Sequence, residues 1–228
     1  VIDSSLTNVF NYEETISAAY LNLQGSYKKL NLQAGVRAEN TEVNTRSLSN
    51  NVKYNRNYFN LFPLVSVDYT ANKNNNINLT YNRRIERPNY NSFNPYRLFR
   101  NYINSEVGNP QLMPMYFNMI TFSHNYKGKL NHSITYNIIK NIFFQYNIQN
   151  DSTKENISYT TNFKHRDVFA YDIFYQANIF SWWITSFNTS AIYFNYNGDL
   201  NGVHYKTEQY SYYISNNHQL IFPKNYTA

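Results

Sequence analysis

The sequence predicts an all-β fold, an antiparallel meander of about nine strands that forms part of a large transmembrane β-barrel. One observation is side-chain alternation: between residues 30 and 39, apolar Leu, Leu, Ala, Val and Ala alternate with Asn, Gln, Gly, Arg and Glu. The same period of two recurs in residues 77–82, 130–138 and 169–179. Such segments are strands with one apolar and one polar face. The second observation is the length of the connections between strands.

The predicted strands follow one another in hairpins. They span residues 12–26, 30–46, 54–71, 75–85, 114–126, 130–149, 157–180, 183–197 and 207–222. Short turns are predicted at residues 27–29, 72–75, 127–129, 181–182 and 223–225, and long outer loops near residues 45–55, 86–113, 149–157 and 197–207. The short turns therefore gather at one end of the meander and the long loops at the other.

This asymmetry is typical of transmembrane β-barrels, which have short periplasmic turns and longer outside loops. The predicted strands also exceed the 5–6 residues that are usual in globular sheets, and a tilted strand needs about 9–11 residues to cross a bilayer. A soluble sandwich has loops at both ends, so the barrel explains the pattern better.

The composition is consistent with this interpretation. Among 228 residues, 15% are charged and 18% are aromatic, with 24 Tyr and 16 Phe, whereas ordinary soluble domains carry about 25% charged residues. Asn, Ser and Thr suit the polar face of a hydrated lumen, and Tyr and Phe suit a lipid-facing surface. The absence of Cys excludes a disulfide scaffold. The net charge of +6 is scattered along the chain, so we expect no nucleic-acid partner.

Aromatic residues are grouped near the predicted strand ends. Near short turns these are Tyr27, Tyr69, Tyr126, Phe180, Trp182 and Trp183, and near long loops they are Tyr54, Tyr58, Tyr146, Tyr196 and Tyr205. Two interfacial girdles would produce this grouping. The alternative is the general preference of aromatic residues for strands.

Two segments are distinctive. One runs Arg83-Arg84-Ile85-Glu86-Arg87-Pro88-Asn89-Tyr90 and continues to Phe93-Asn94-Pro95-Tyr96-Arg97, and the other is Glu106-Val107-Gly108-Asn109-Pro110-Gln111-Leu112-Met113-Pro114. Together they resemble the barrel of TonB-dependent outer-membrane transporters of the Bacteroidota type. The segments 33–39 and 60–63 are similar to earlier strands of the same family.

The resemblance implies that residues 1–228 are a C-terminal part of a barrel of about 22 strands in the bacterial cell outer membrane. It implies a receptor that imports a nutrient ligand such as a glycan, a peptide or a metal chelate. The family's plug domain, which contacts a TonB-type energy transducer, is not expected within this chain. The alternative is a non-transporting barrel that acts as a structural subunit of an outer-membrane protein complex. Implied partners are membrane lipid, lipopolysaccharide and a surface lipoprotein or other envelope proteins.

Candidate ligand or lumen contacts lie in the long loop 86–113 and at the end of the strand before it. Arg84 follows the inward-facing series Asn78, Thr80 and Asn82, and the loop combines aromatic rings with arginine donors that can grip a sugar or an anionic chelate. The candidates are Arg84, Arg87, Tyr90, Tyr96, Arg97, Arg100 and Tyr102. The alternatives are arginines satisfied by neighbouring carboxylates, and a loop that packs on its neighbours or lies over lipopolysaccharide.

Catalytic and metal-binding signals are weak, so we expect neither an enzyme nor a cofactor. His165-Arg166-Asp167 imitates a kinase catalytic loop but lacks the Asn and the glycine-rich loop that such a site needs. The five histidines show no H-x-x-x-H pair and there is no Cys, which argues against a zinc site.

Overall fold

The computed structural model describes residues 8–48, 51–200 and 202–222, and most of these residues lie in one antiparallel sheet. Nine long strands form its path, in the order β1-β2-β3-β4-β7-β8-β9-β10-β11. Their bounds are β1 Phe10–Tyr27, β2 Leu30–Ser47, β3 Val52–Asn72, β4 Asn75–Glu86, β7 Met115–Tyr126, β8 Leu130–Gln149, β9 Asn156–Phe180, β10 Trp183–Leu200 and β11 Val203–Leu220. Three short elements lie between β4 and β7: α1 Tyr90–Phe93, β5 Arg97–Phe99 and β6 Asn104–Val107.

The predicted fold class is confirmed, and each of the nine predicted strands corresponds to one long strand. Within the described residues the sheet is open, with β1 and β11 at its two ends. No helix among these residues is long and apolar enough to span a membrane.

Two pairs of strands extend further than the sequence predicted. Ser47 pairs with Val52, and Leu200 pairs with Val203, so the loops expected near 45–55 and 197–207 are largely strand. The alternation of apolar residues stops before these ends, but backbone hydrogen bonding continues because it does not depend on side-chain type. Residues 49–50 and 201, and the turn predicted at 223–225, lie outside the described residues.

In the middle of β3, β4, β7, β8 and β9 the register places paired polar residues on one face, although polar side chains nearer the strand ends also occur on the other. Asn78 of β4 is paired with Asp68 of β3 and Ser123 of β7, and Ser133 of β8 is paired with Asp172 of β9. Directly paired residues of neighbouring strands point to the same side of a sheet. We call this side the polar face; Asn78 Nδ2 lies 2.8 Å from Asp68 Oδ1 there.

The opposite side, the apolar face, carries large hydrophobic residues that no other part of the described chain covers. Exposed examples are Leu79, Ile120, Phe122, Ile134, Phe169 and Ile214. Among the described residues the buried hydrophobic side chains are few, namely Val43, Phe62, Phe93, Leu112, Ile139 and Phe163. A sheet with a broad uncovered apolar face and a hydrogen-bonded polar face suits a barrel wall between lipid and a hydrated lumen.

The assignment of faces predicts that Ile134→Arg prevents membrane assembly. Ile134 is 40% exposed on the apolar face, and a mid-bilayer arginine on a lipid-facing position costs about 2–4 kcal/mol. The control is Asn137→Arg, on the polar face of the same strand, which we expect to assemble. Heat-modifiable migration of the outer-membrane fraction in gel electrophoresis measures assembly, and equal effects of the two substitutions would contradict the assignment.

Candidate functional site

The connection between β4 and β7, residues 87–114, folds onto the polar face of the sheet, and we call it the inner loop. Phe93 of α1 stacks on Tyr12 of β1, with ring centres 5.5 Å apart. Arg56 of β3 donates a hydrogen bond to the carbonyl oxygen of Leu112, whose side chain is fully buried. The register puts both Tyr12 and Arg56 on the polar face. The inner loop therefore lies on the lumen side of the wall, not on the lipid side.

A buried ion cluster holds the first residue of the inner loop. Arg87 Nη2 lies 2.7 Å from Glu39 Oε2 and 3.0 Å from Thr41 Oγ1, and Arg87 Nε lies 3.3 Å from Glu14 Oε1. Glu39 also pairs with Arg37 at 2.9 Å. Glu39 is 6% exposed and Thr41 is fully buried. Arg87 therefore ties the start of the loop to β1 and β2.

The charge of Arg87 is secured by this environment. Burial alone would lower the pKa of its guanidinium, but hydrogen bonds to Glu39 and Tyr58 outweigh burial and raise the pKa above its usual value. Arg87 is consequently a cation at every physiological pH, and the cluster keeps its positive partner.

Gly108 allows the end of the inner loop to pack against its beginning. Gly108 N–H donates to Asn94 O at 2.9 Å, and Asn109 N–H donates to Ser92 O at 2.6 Å. A Cβ at position 108 would lie 2.4 Å from Asn94 O and 2.7 Å from Ser92 O. The motif Gly108-Asn109-Pro110 thus has a local reason, because only glycine permits this approach to the carbonyl groups around α1.

The middle of the inner loop is a β-hairpin that docks on β9. Arg97 of β5 pairs with Val107 of β6, and β6 runs parallel to β9 with Asn104 opposite Asn156. β10 pairs with β9 only as far as His165, so β6 occupies the outer edge segment of β9 that β10 leaves unpaired. The inner loop thus reaches from β1 and β3 to β9 across the outer end of the sheet.

Side chains reinforce this docking. The guanidinium of Arg97 lies 2.8 Å from Ser105 Oγ and 3.4 Å from Glu155 Oε2, and 4.8 Å from the ring centre of Phe99. Asn162 of β9 donates to the Met113 carbonyl at 2.9 Å and accepts from the Met113 N–H at 2.7 Å. The loop is held at both ends and at its hairpin.

The hairpin tip, residues 98–103, is the exposed part of the inner loop. Its apolar and aromatic members are Leu98, Phe99, Tyr102 and Ile103, which are 45%, 47%, 101% and 51% exposed. Asn101 Oδ1 accepts hydrogen bonds from the N–H groups of Ile103 and Asn104, at 3.0 Å and 2.7 Å. These bonds give the tip a defined backbone, so its rings are presented on an ordered support.

The predicted contact residues fall into two groups. Arg87 and Arg97 are engaged in ion pairs, and Tyr96 is half-buried with its N–H donating to Asn94 Oδ1 at 3.1 Å. The exposed candidates are Arg84, Tyr90, Arg100 and Tyr102. Arg100 forms an exposed ion pair with Glu106. The loop thus combines a buried anchor with an exposed set of rings and donors.

At the end of β4, Arg83 and not Arg84 forms side-chain contacts with neighbouring strands. Arg83 Nη2 lies 3.4 Å from Asn60 Oδ1, and its guanidinium lies 5.1 Å from the ring centre of Tyr116. Arg84 is exposed, and no hydrogen bond or ion pair of the described residues includes it. The lumen contact predicted for Arg84 remains a prediction.

Sequence reasoning missed the partners that the strands supply to the inner loop. These are Tyr12, Glu14, Glu39, Arg56 and Asn162. One signal was present in the sequence: a glutamate on a polar face made mainly of amides and hydroxyls indicates a buried cation nearby.

The comparisons with known proteins agree with this fold. The outer membrane protein beta-barrel family matches residues 1–228. The chain belongs to that family. Its location is therefore the bacterial outer membrane, as the sequence predicted. No curated protein matches the chain.

Solved structures with a similar fold are outer-membrane receptors and transporters. The siderophore receptor PirA from Pseudomonas aeruginosa is 14% identical with a TM-score of 0.55, and the match covers 97% of this chain and 53% of PirA. The copper transporter OprC is 11% identical with a TM-score of 0.60, covering 91% of this chain and 40% of OprC. The FrpB iron transporter from Neisseria meningitidis is 12% identical with a TM-score of 0.52, and the match covers 91% of this chain and 33% of FrpB. The chain spans about half of these proteins or less.

The ion cluster predicts that Arg87→Gln lowers the free energy of unfolding of the full-length protein by about 2–3 kcal/mol, because the buried carboxylate of Glu39 loses a cationic partner. Denaturant unfolding in detergent micelles measures this. The matched control is Arg84→Gln, the same substitution at an exposed residue of the preceding strand, for which we expect almost no change. A similar loss for both variants would show that Arg87 has no special role.

The close approach at Gly108 predicts that Gly108→Ala displaces the end of the inner loop from α1. We expect faster cleavage of the loop by an added protease, since the methyl group clashes with two carbonyl oxygens. Gly25→Ala is the control, because a Cβ at Gly25 meets no atom within 4 Å. Unchanged cleavage of the Gly108→Ala protein would argue against the packing described.

Proposed function

We propose that the chain is the barrel portion of a TonB-dependent outer-membrane receptor that imports a nutrient ligand such as a glycan, a peptide or a metal chelate. The observation that carries the proposal is the inner loop, which is anchored on the lumen side and presents exposed rings and cations at the outer end of the barrel wall. The family membership, the similar fold of a siderophore receptor and a copper transporter, and the two distinctive segments support it.

In this function the hairpin tip makes the first contact with the ligand. Tyr102 and Phe99 offer flat faces that stack on a sugar ring or an aromatic chelating group. Arg100 offers donors for an anion, and its exposed pair with Glu106 is readily exchanged because surface ion pairs contribute little free energy. Tyr90 is exposed at the start of α1. Arg84 belongs to the lumen wall below these residues.

The anchored part of the loop holds the exposed hairpin tip in place. Arg87 anchors the start of the loop on Glu39 of β2, and Arg56 and Asn162 hold the loop from β3 and β9, which restricts its motion. A pre-positioned loop loses less conformational entropy on binding than a mobile one. Passage through the barrel would then depend on a plug and on a TonB-type energy transducer, both of which are partners proposed from the family resemblance.

We expect Phe99→Ala/Tyr102→Ala in the full-length protein to weaken ligand binding about tenfold, because two stacking contacts are lost. The effect is measured by ligand binding to cells and by growth on a medium in which the ligand is the sole source of the nutrient that it supplies. Tyr205→Ala, which removes an exposed ring from β11, is the control. Normal binding and growth of the double variant would refute the role of the tip in uptake.

A structural subunit of an outer-membrane protein complex is the second candidate function. It is favoured by the apolar character of the tip, where Leu98, Phe99 and Ile103 are all exposed. The same double variant distinguishes the two: loss of co-purifying envelope proteins with normal uptake would support the structural role.

A further inference from the structure

The short-turn end of the sheet carries positive charge only. Its turns contain five exposed lysines, namely Lys28, Lys29, Lys73, Lys127 and Lys129, and no Asp or Glu. None of these lysines belongs to an ion pair of the described residues. Lys29 Nζ donates to the carbonyl of Ala71 at the end of β3. Within the part of the chain that the structure describes, no acidic side chain neutralises the charge of these turns.

Two of these lysines lean towards the apolar face. Lys28 Nζ lies 5.2 Å from the ring centre of Tyr27, and Lys127 Nζ lies 5.1 Å from that of Tyr126. Tyr27 is paired with Leu30, and Tyr126 is paired with both Leu130 and Asn75, which puts both rings on the apolar face. The ammonium groups are thus held where the lipid-facing surface meets water.

Polar and aromatic groups continue this arrangement along the same face. His124 Nδ1 lies 3.0 Å from His132 Nε2, and Trp183 Nε1 donates to His218 Nδ1 at 3.1 Å. The register places His124, His132 and His218 on the apolar face near the short turns. Trp182 stacks beside Trp183 with ring centres 6.2 Å apart. Such amphipathic rings settle at the membrane–water interface.

We propose that this basic belt, formed by the turn lysines with Tyr27, Tyr126, the three histidines and the tryptophans, binds the phosphate groups of phospholipids in the periplasmic leaflet. Short turns of outer-membrane barrels face the periplasm. At that level each phospholipid presents an anionic phosphate directly above its acyl chains. Lysine provides a compact cation for phosphate, and its aliphatic stem lies along apolar surface.

The direction of the lysines favours lipid over a soluble periplasmic partner. A partner in the periplasm would meet cations that point away from the membrane, whereas Lys28 and Lys127 lie against rings of the lipid-facing surface. The belt depends only on the fold and its orientation, and it is independent of whether the barrel transports a ligand.

The test compares lipid retention by the purified full-length protein and by a Lys28→Gln/Lys127→Gln variant. Both are incubated in detergent micelles containing phosphatidylglycerol, and bound lipid is counted by native mass spectrometry. We expect the variant to bind phosphatidylglycerol about tenfold more weakly, since two cations near the phosphates are lost. Lys28→Arg/Lys127→Arg keeps both charges and should bind as the unchanged protein does.

The control is Lys53→Gln/Lys206→Gln, which removes two exposed lysines from the opposite, outer end. We expect no loss of phospholipid in this variant, and heat-modifiable migration checks that every variant is folded. Equal lipid retention by both glutamine variants would overturn the proposal. So would a belt variant that keeps its lipid but loses a crosslink to a soluble periplasmic protein.

Discussion

The structure depends on one constraint: every long strand must pair its backbone with a neighbour while its alternate side chains face two different surroundings. In a bilayer no water is available to satisfy a free N–H or carbonyl group, so the strands pair along almost their whole length. Along the middle of β3, β4, β7, β8 and β9 the register keeps paired polar residues on one side. A shift of one residue would exchange the two faces of a strand. The side-chain pattern therefore selects one backbone register, and that register keeps each side chain on its own face.

The same constraint explains the unusual composition. Asn, Ser and Thr on the polar face bond to one another across strands, as in the contact of Ser66 Oγ with Thr80 Oγ1 at 3.2 Å. They give a hydrated surface without a strong electrostatic field. Charge is used instead at the two ends. At the outer end Arg87, Glu14 and Glu39 compensate one another, whereas no ion pair among the described residues includes the lysines of the short-turn end.

The inner loop is anchored on the barrel wall and carries the proposed ligand-contact residues. Its anchors come from β1, β2, β3 and β9 and include the buried Glu39 and Thr41, and its exposed residues are concentrated at the hairpin tip. The division has a physical basis, because a loop that must bind a ligand without collapsing needs its own internal contacts and an anchor in the scaffold. The arginines illustrate it: Arg87 has become part of the anchor, while Arg100 remains at the surface.

The strands, most of their alternating faces and one long loop rich in arginine and tyrosine can be predicted from the order of the residues alone. These features follow from relations between residues two apart in the chain or from local turn residues, and such relations can be read without knowing the fold. Three features depend on the folded sheet: the full length of β2, β3, β10 and β11, the contacts of Arg83 rather than Arg84, and the path of the inner loop. Asn104 pairs with Asn156, and Arg87 with Glu39, only because the register of several strands brings distant segments together. Those contacts depend on the summed geometry of the sheet, which no local pattern encodes.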